Sequence, residues 1–320
     1  MARARTQAVP VAGLFGGEAA SRTGPATAVT ESARALADRL PRILLQARRV
    51  AAAAAGAHGR RQPGPGEDFW QYRPYVPGES AQRIDWRRSA RDHRLYVRQR
   101  EWEAAQRVWF WINLSPSMGF RSSLAADSKA GRALTLGLGL AGALAAAGER
   151  VGLLAGAASG GAGAMERLAR DIAASLRDGA PQPDLPPAAE VAGGDAVVLV
   201  SDCLNPPAEL EARIASLAVR GASGAVILVA DPVEETFPFA GETVLETPDG
   251  AVRRRVGDAR AWGEAYRAAL ASHRAAVAQT VARRGWSLTL HRTDRPASEA
   301  ALRALTLLAA AGGRGAGGGP

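Results

Sequence analysis

Cysteine occurs once in the 320 residues, as Cys203, with no Cys-x-x-Cys pair or Cys/His cluster anywhere in the chain. A single thiol excludes an internal disulfide framework and leaves a structural zinc without ligands, which fits a reducing, cytoplasmic setting. Lysine is equally scarce: Lys129 is the sole one, and every other basic residue is arginine. No apolar run is a convincing membrane span. The longest, Ala133 to Ala147, is short, rich in glycine and bracketed by Arg132 and Glu149, so it reads as a buried helix. Arg3 and Arg5 are not followed by a continuous hydrophobic segment and a small-residue cleavage site, so no secretory signal is expected. A Gly-x-x-x-x-Gly-Lys-Ser/Thr loop is missing too, which excludes a P-loop ATPase.

What is present is enough to build a large core. Apolar residues make up 47% of the chain, and its length permits one large domain or two small ones. The net charge is +9, carried on arginine in a chain that also uses alanine and glycine heavily. A GC-rich coding sequence favours those three residues together, so the basic balance by itself argues only weakly for a nucleic-acid partner.

Residues 1–28 mix Pro, Gly, Ser, Thr and Ala without periodicity and read as a disordered lead, and 312–320 as a flexible tail. From Glu31 to Ala57 apolar residues recur at helical spacing, with Thr30 placed to cap the start and Pro41 placed to kink or break it; this reads as a helical arm. A loop over 59–66 leads into a segment rich in aromatics and arginines that ends near residue 106. Beyond it, strand and helix patterns alternate. Strands are expected at 108–113, 151–154, 196–201, 225–230 and 286–290, and helices at 128–148, 164–177, 208–220, 259–284 and 297–310. Short continuous apolar strands between helical patterns predict an α/β fold over 107–311, with a mostly parallel sheet flanked by helices. Pro248-Asp249-Gly250, between strand-like runs in 243–256, predicts a hairpin appended to that sheet.

In such a sheet, ligands collect beyond the carboxyl ends of the strands. The first strand runs into Asn113-Leu114-Ser115-Pro116-Ser117, which resembles the Asp-x-Ser-x-Ser loop of the metal-ion-dependent adhesion site of von Willebrand factor A domains. In that family hydroxyls and carboxylates surround a hard divalent cation, and an acidic group of the partner completes its sphere. The resemblance implies Ser115 and Ser117 as ligands and Asp202, after the third strand, as the third-loop aspartate. Asn113 stands where the family has aspartate, and the loop after Leu154 offers Ser159 but no threonine. A site short of one full charge binds Mg²⁺ weakly, so a degenerate or metal-free site is expected, with no certain cofactor. The two hydroxyls can equally serve backbone groups of a strand-to-helix turn.

The segment before the first strand carries the most specific pattern. It includes Asp68, Phe69, Trp70, Arg73, Pro74, Tyr75, Pro77 and Gly78, then Ile84-Asp85-Trp86-Arg87-Arg88, Arg91, Arg98 and Glu101. This resembles the signature of the bacterial family catalogued as domain of unknown function 58, whose members are similar to von Willebrand factor A proteins. The resemblance extends to Asp231-Pro232, Phe237-Pro238-Phe239 and Thr293-Asp294, and so covers about 66–310. Of the signature residues, Arg73, Asp85, Arg91, Arg98 and Glu101 are expected in an ion-pair network with Phe69, Tyr75 and Trp86 packed beneath; a docking surface is the alternative.

The family's frequent association with MoxR-type AAA+ ATPases implies a non-enzymatic adaptor that links such an ATPase to a client protein in assembly or maturation. A hydrolase is a second reading, with Ser115, Ser117 or Cys203 as nucleophile. Of the four histidines only His291 follows a strand, and neither serine sits in a Gly-x-Ser-x-Gly elbow, so no constellation is complete. Nucleic-acid binding through the arginines, Trp86, Tyr96 and Trp102 of residues 83–102 is a third reading, opposed by Asp85, Asp92, Glu101 and Glu103 among them.

Overall fold

The computed structural model describes residues 29–30, 33–57, 71–75, 84–91, 94–99, 105–179, 182–246 and 253–315. The expected lead over 1–28, the loop at 59–66, Asp68, Phe69, Glu101 and the Pro248-Asp249-Gly250 turn lie outside them. The chain divides into two units, residues 1–58 with 106–320, and residues 59–105.

In chain order the elements are β1 (Val29–Thr30), α1 (Ala33–Ala57), β2 (Gln71–Pro74), α2 (Trp86–Ser89), β3 (Tyr96–Gln99), β4 (Arg107–Ile112) and β5 (Phe120–Arg121). There follow α3 (Lys129–Ala146), β6 (Arg150–Leu153), α4 (Ala164–Arg177), β7 (Ala196–Ser201), α5 (Pro207–Ala218) and β8 (Ser223–Ala230). The last are α6 (Pro232–Thr236), β9 (Thr243–Glu246), β10 (Arg253–Val256), α7 (Gly263–Arg283), β11 (Ser287–Arg292) and α8 (Ala297–Gly315).

In the larger unit β11, β8, β7, β4 and β6 form, in that order, one five-stranded sheet in which every pairing is parallel. The inner strands β4, β7 and β8 are apolar at most positions because both faces are covered, whereas the edge strand β11 (SLTLHR) is mixed. Side chains alternate between the faces. Phe110, Ile112, Val198, Val200, Ile227 and Val229 join one core cluster with α1, α3, α4 and α8, while Trp111, Val197, Leu199, Val226 and Leu228 join a second with α5 and α7. After β6 the chain folds back through an antiparallel bridge between Val151 and Ser159, so α4 packs on the same face as α3. The stretch 182–195 then returns along the opposite face, where Leu185, Ala189 and Val191 join the second cluster.

Helix α3 is the buried apolar run, wedged between sheet and α1. Its glycines make this possible: a Cβ on Gly137 would stand 2.5 Å from Ile112 Cδ1, and one on Gly139 would stand 2.8 Å from Val50 Cγ1. The helix expected to be an arm is therefore part of the core, with Ile43, Ala47, Val50 and Ala54 buried. It runs unbroken past Pro41, a residue that has no backbone N–H to donate within the helix. Thr30 pairs through its backbone with Phe120 in a short antiparallel ladder.

Two further expectations are corrected. The hairpin of β9 and β10 forms a separate two-stranded sheet and does not extend the central one, where β11 takes the edge beside β8. Helix α8 continues to Gly315, into the stretch expected to be a flexible tail. The smaller unit contains the antiparallel pair of β2 and β3 and the short helix α2. Among the described residues no helix is long and apolar enough to cross a membrane.

Candidate functional site

The strand order places a switch point between β4 and β7, where the chain leaves β4 to one side for β6 and to the other for β7. Crevices at such points, beyond the carboxyl ends of the strands, are where side chains from separate loops converge. Asn113 follows β4, Asp202 follows β7, Asp231 follows β8 and Thr293 follows β11.

Asn113 is fully buried and spends its carboxamide locally: Nδ2 donates to Ser201 Oγ at 3.0 Å, and Oδ1 accepts from the Ser115 amide at 2.9 Å. Ser201 Oγ also accepts from the Cys203 amide at 3.0 Å. The hydroxyls of Ser115 and Ser117 lie 3.1 Å apart and hydrogen-bond to each other. The asparagine thus stitches the ends of β4 and β7 together and shapes the turn after β4.

Asp202 meets Lys129 at the first position of α3. Lys129 Nζ donates to Asp202 Oδ2 at 2.9 Å and to Glu234 Oε1 at 2.6 Å, and all three side chains are at most 5% exposed. Burial pulls the lysine pKa down, but the attraction of both carboxylates and their hydrogen bonds together outweigh it, and the ammonium is held above the ordinary lysine value. The Phe120 ring lies 5.9 Å from Nζ. A cavity of about 10 Å³, the size of one water molecule, adjoins Asp202 and Glu234 beneath Tyr266 and His273.

Glu234 is set by local sequence. Asp231 caps α6, accepting from the Val233 amide at 2.9 Å, while Glu234 Oε2 reaches back to the Asp231 amide at 2.8 Å, a reciprocal capping box. The other Asp231 oxygen accepts from the Ser122 amide at 2.9 Å, which ties the loop after β5 to the end of β8. The family-like Phe237 closes α6 in the left-handed region (φ 44°) and stacks on Tyr266 at 4.7 Å.

At the sheet edge Arg132 donates to the carbonyls of Thr293 (2.9 Å) and Arg295 (2.8 Å), with Asp127 at 3.5 Å. His291 is buried beside it. Desolvation, and then the nearby arginine, push its pKa down to about 4, so the imidazole is neutral. Its Nε2 and the Thr293 hydroxyl have no hydrogen-bond partner among the described residues.

The nucleophile candidates are not assembled with a base. His273 Nε2 lies 2.7 Å from the Cys203 carbonyl oxygen, not the thiol. Cys203 is buried, and desolvation and then Asp202 push its thiol up to about 12. Among the described residues no group of three or more His, Cys, Asp or Glu is arranged to hold a metal ion.

The signature segment also differs from expectation. Asp85 serves as N-cap of α2, accepting from the Arg88 amide at 3.0 Å. Trp86 does not pack beneath an ion-pair network: it is 61% exposed. Tyr75 is half-buried and Arg91 exposed, while Arg73 and Arg98 lie on the paired strands β2 and β3.

Sequence reasoning brought Asn113, Ser115, Ser117 and Asp202 to one end of the sheet and missed Lys129 and Glu234. Two signals pointed to them: Lys129 is the one lysine in a chain that otherwise uses arginine, and Asp231-Pro232-Val233-Glu234 spells a capping box.

The model of the family described as protein of unknown function DUF58 matches residues 71–276, more than half of the chain. Uncharacterized proteins of Mycobacterium bovis and of two strains of Mycobacterium tuberculosis are each 29% identical to it over 256 residues, covering 75% of this chain and 79% of theirs. No solved structure matches the chain significantly.

Proposed function

This chain belongs to the DUF58 family, and from that premise we propose that it is a non-catalytic protein-interaction module of von Willebrand factor A-like architecture whose carboxyl-end site is held by an internal lysine. The observation that carries this reading is the ammonium of Lys129 between the carboxylates of Asp202 and Glu234. An ammonium is a compact charge whose three protons reach separate acceptors, whereas the planar fork of arginine is larger and matches one carboxylate side-on.

The residues implied as metal ligands do not fit a divalent cation. Asp202 Oδ2 is bound to the ammonium, the Asn113 carboxamide is committed to Ser201 and Ser115, and a hydrogen bond joins the two serine hydroxyls. Asn113 in place of an aspartate matches a site whose positive charge is already supplied. Recognition of an acidic partner through a bound Mg²⁺ is therefore not part of the mechanism. The buried thiol and the neutral, buried His291 likewise supply no activated nucleophile, which favours binding over hydrolysis.

The family resemblance points to a MoxR-type AAA+ ATPase as the partner, with a client protein as the third component. ATP hydrolysis would lie with the ATPase, since this sequence has no phosphate-binding loop. The test is co-purification and ATP turnover with a MoxR-type ATPase from the same cell, with and without a chelator applied to this chain before mixing. Association that survives chelation is the expected result. No association, or association abolished by chelation and restored by Mg²⁺, overturns the reading.

A further inference from the structure

The smaller unit carries a surface that the site at the end of the sheet does not use. Helix α2 is one pinned turn. The Asp85 carboxylate caps it, the Asp85 amide donates to the Tyr96 carbonyl at 2.8 Å, and the Tyr96 amide donates to Ser89 Oγ at 2.9 Å. The guanidinium of Arg88 lies over the Tyr96 ring, 4.8 Å from its centre. Trp86 follows Asp85 and Leu95 precedes Tyr96, so the hydrogen bond between Asp85 and Tyr96 joins the two short segments that carry them. Both are exposed, Trp86 by 61% and Leu95 by 43%. Arg87, Arg91 and Arg94, on the same two segments, are exposed, and none of the three has a carboxylate partner among the described residues.

A single exposed apolar side chain is ordinary. An exposed tryptophan and an exposed leucine on two hydrogen-bonded segments, with exposed arginines that have no carboxylate partner among the described residues, have the make-up of an interface centre, where Trp and Arg carry most of the binding energy. We propose that this face docks an acidic protein segment bearing an apolar side chain: Trp86 and Leu95 receive the apolar group, and Arg87, Arg91 and Arg94 receive the carboxylates. The inference rests on the interaction role proposed above and names the chemistry of the partner. Single-stranded nucleic acid fits less well, because stacking tracts need successive exposed rings. Among the described side chains of this unit Tyr75 and Tyr96 are half-buried, and the second exposed apolar group is aliphatic.

The experiment is fluorescence anisotropy with the full chain and three labelled probes: a peptide of Asp and Glu with interspersed leucines, the same peptide with lysine for each acid, and a thymidine oligonucleotide. The acidic peptide is expected to bind, the basic one not, and Trp86→Ala and the charge reversal Arg91→Glu each to weaken the acidic peptide by about tenfold or more. Far-ultraviolet circular dichroism and the melting temperature of both variants establish that they fold. Equal affinity in a folded Trp86→Ala variant, tighter binding of the oligonucleotide, or no binding of the acidic peptide overturns the proposal. Failure of the chain to bind the acidic peptide while its association with the ATPase persists would remove this surface and leave the adaptor role standing.

Discussion

Lys129 Nζ stands 2.9 Å from Asp202 Oδ2, with the lysine 1% and the aspartate 3% exposed. A buried ammonium hydrogen-bonded to two carboxyl groups is costly to break one partner at a time, because the groups left behind are desolvated and unpaired. Lys129→Met is expected to lower unfolding free energy by about 3–5 kcal/mol. Combining it with Asp202→Asn and Glu234→Gln is expected to recover part of that loss. Urea denaturation of the three proteins checks this, and an unaltered midpoint for Lys129→Met would contradict it.

His291 gives stability a pH dependence of definite sign. Its folded pKa is lowered to about 4 from the ordinary 6.5, by burial first and by Arg132 second, with Asp294 acting weakly the other way. A depressed folded pKa means the native state resists a proton that the unfolded chain accepts. The stabilisation is whole above pH 6.5 and is lost as pH falls toward 4, by about 3 kcal/mol in full. Replacing the imidazole by His291→Gln is expected to flatten this limb of the stability profile, measured by denaturant midpoints between pH 7.5 and pH 4 in steps of about half a unit.

The glycines of α3 are graded by what faces them. Alanine at Gly139 would gain about 1 kcal/mol of helix propensity. It would also place Cβ 2.8 Å from Val50 Cγ1 and 3.2 Å from the Ala47 carbonyl, forcing α1 away. A net loss of about 1–2 kcal/mol is expected, since overpacking of a tight core costs about 1–3 kcal/mol. Gly142→Ala meets the adaptable Met165 Sδ at 3.2 Å and is expected to cost less. Melting temperatures that rank the two variants the other way would contradict this packing account.

Much of the fold was legible. The run AVVLVS at 196–201 and the helix at 164–177 have the bounds that their apolar patterns predict, because a strand covered on both faces and an amphipathic helix each write their burial into the sequence. Helix α1 was recognised as a helix but not as core, since its partner α3 is apolar all round and gives no sign of which face receives it. Likewise, turn and strand signals predicted the β9 and β10 hairpin but could not say that it would stand as a sheet of its own.

The site was half legible for a related reason. Asn113 and Asp202 directly follow strands, so their place at the sheet's end could be read from strand positions alone. The partnership of Lys129 with Asp202 and Glu234 spans 73 and 105 residues of sequence, and no local pattern encodes such a distance. The odd choice of lysine in an arginine-rich chain and the capping box ending in Glu234 marked its members, but not their pairing.

The most direct test is calorimetric titration of Mg²⁺ and Mn²⁺ into the chelator-treated full chain, with Asp202→Ala and Lys129→Ala alongside. With Lys129 in place as the site's permanent cation, the unaltered protein is expected to take up neither metal ion, and Asp202→Ala to behave the same; any uptake should require loss of the lysine. Micromolar binding by the unaltered protein that Asp202→Ala abolishes would show that a metal ion, not Lys129, is the cation of this site.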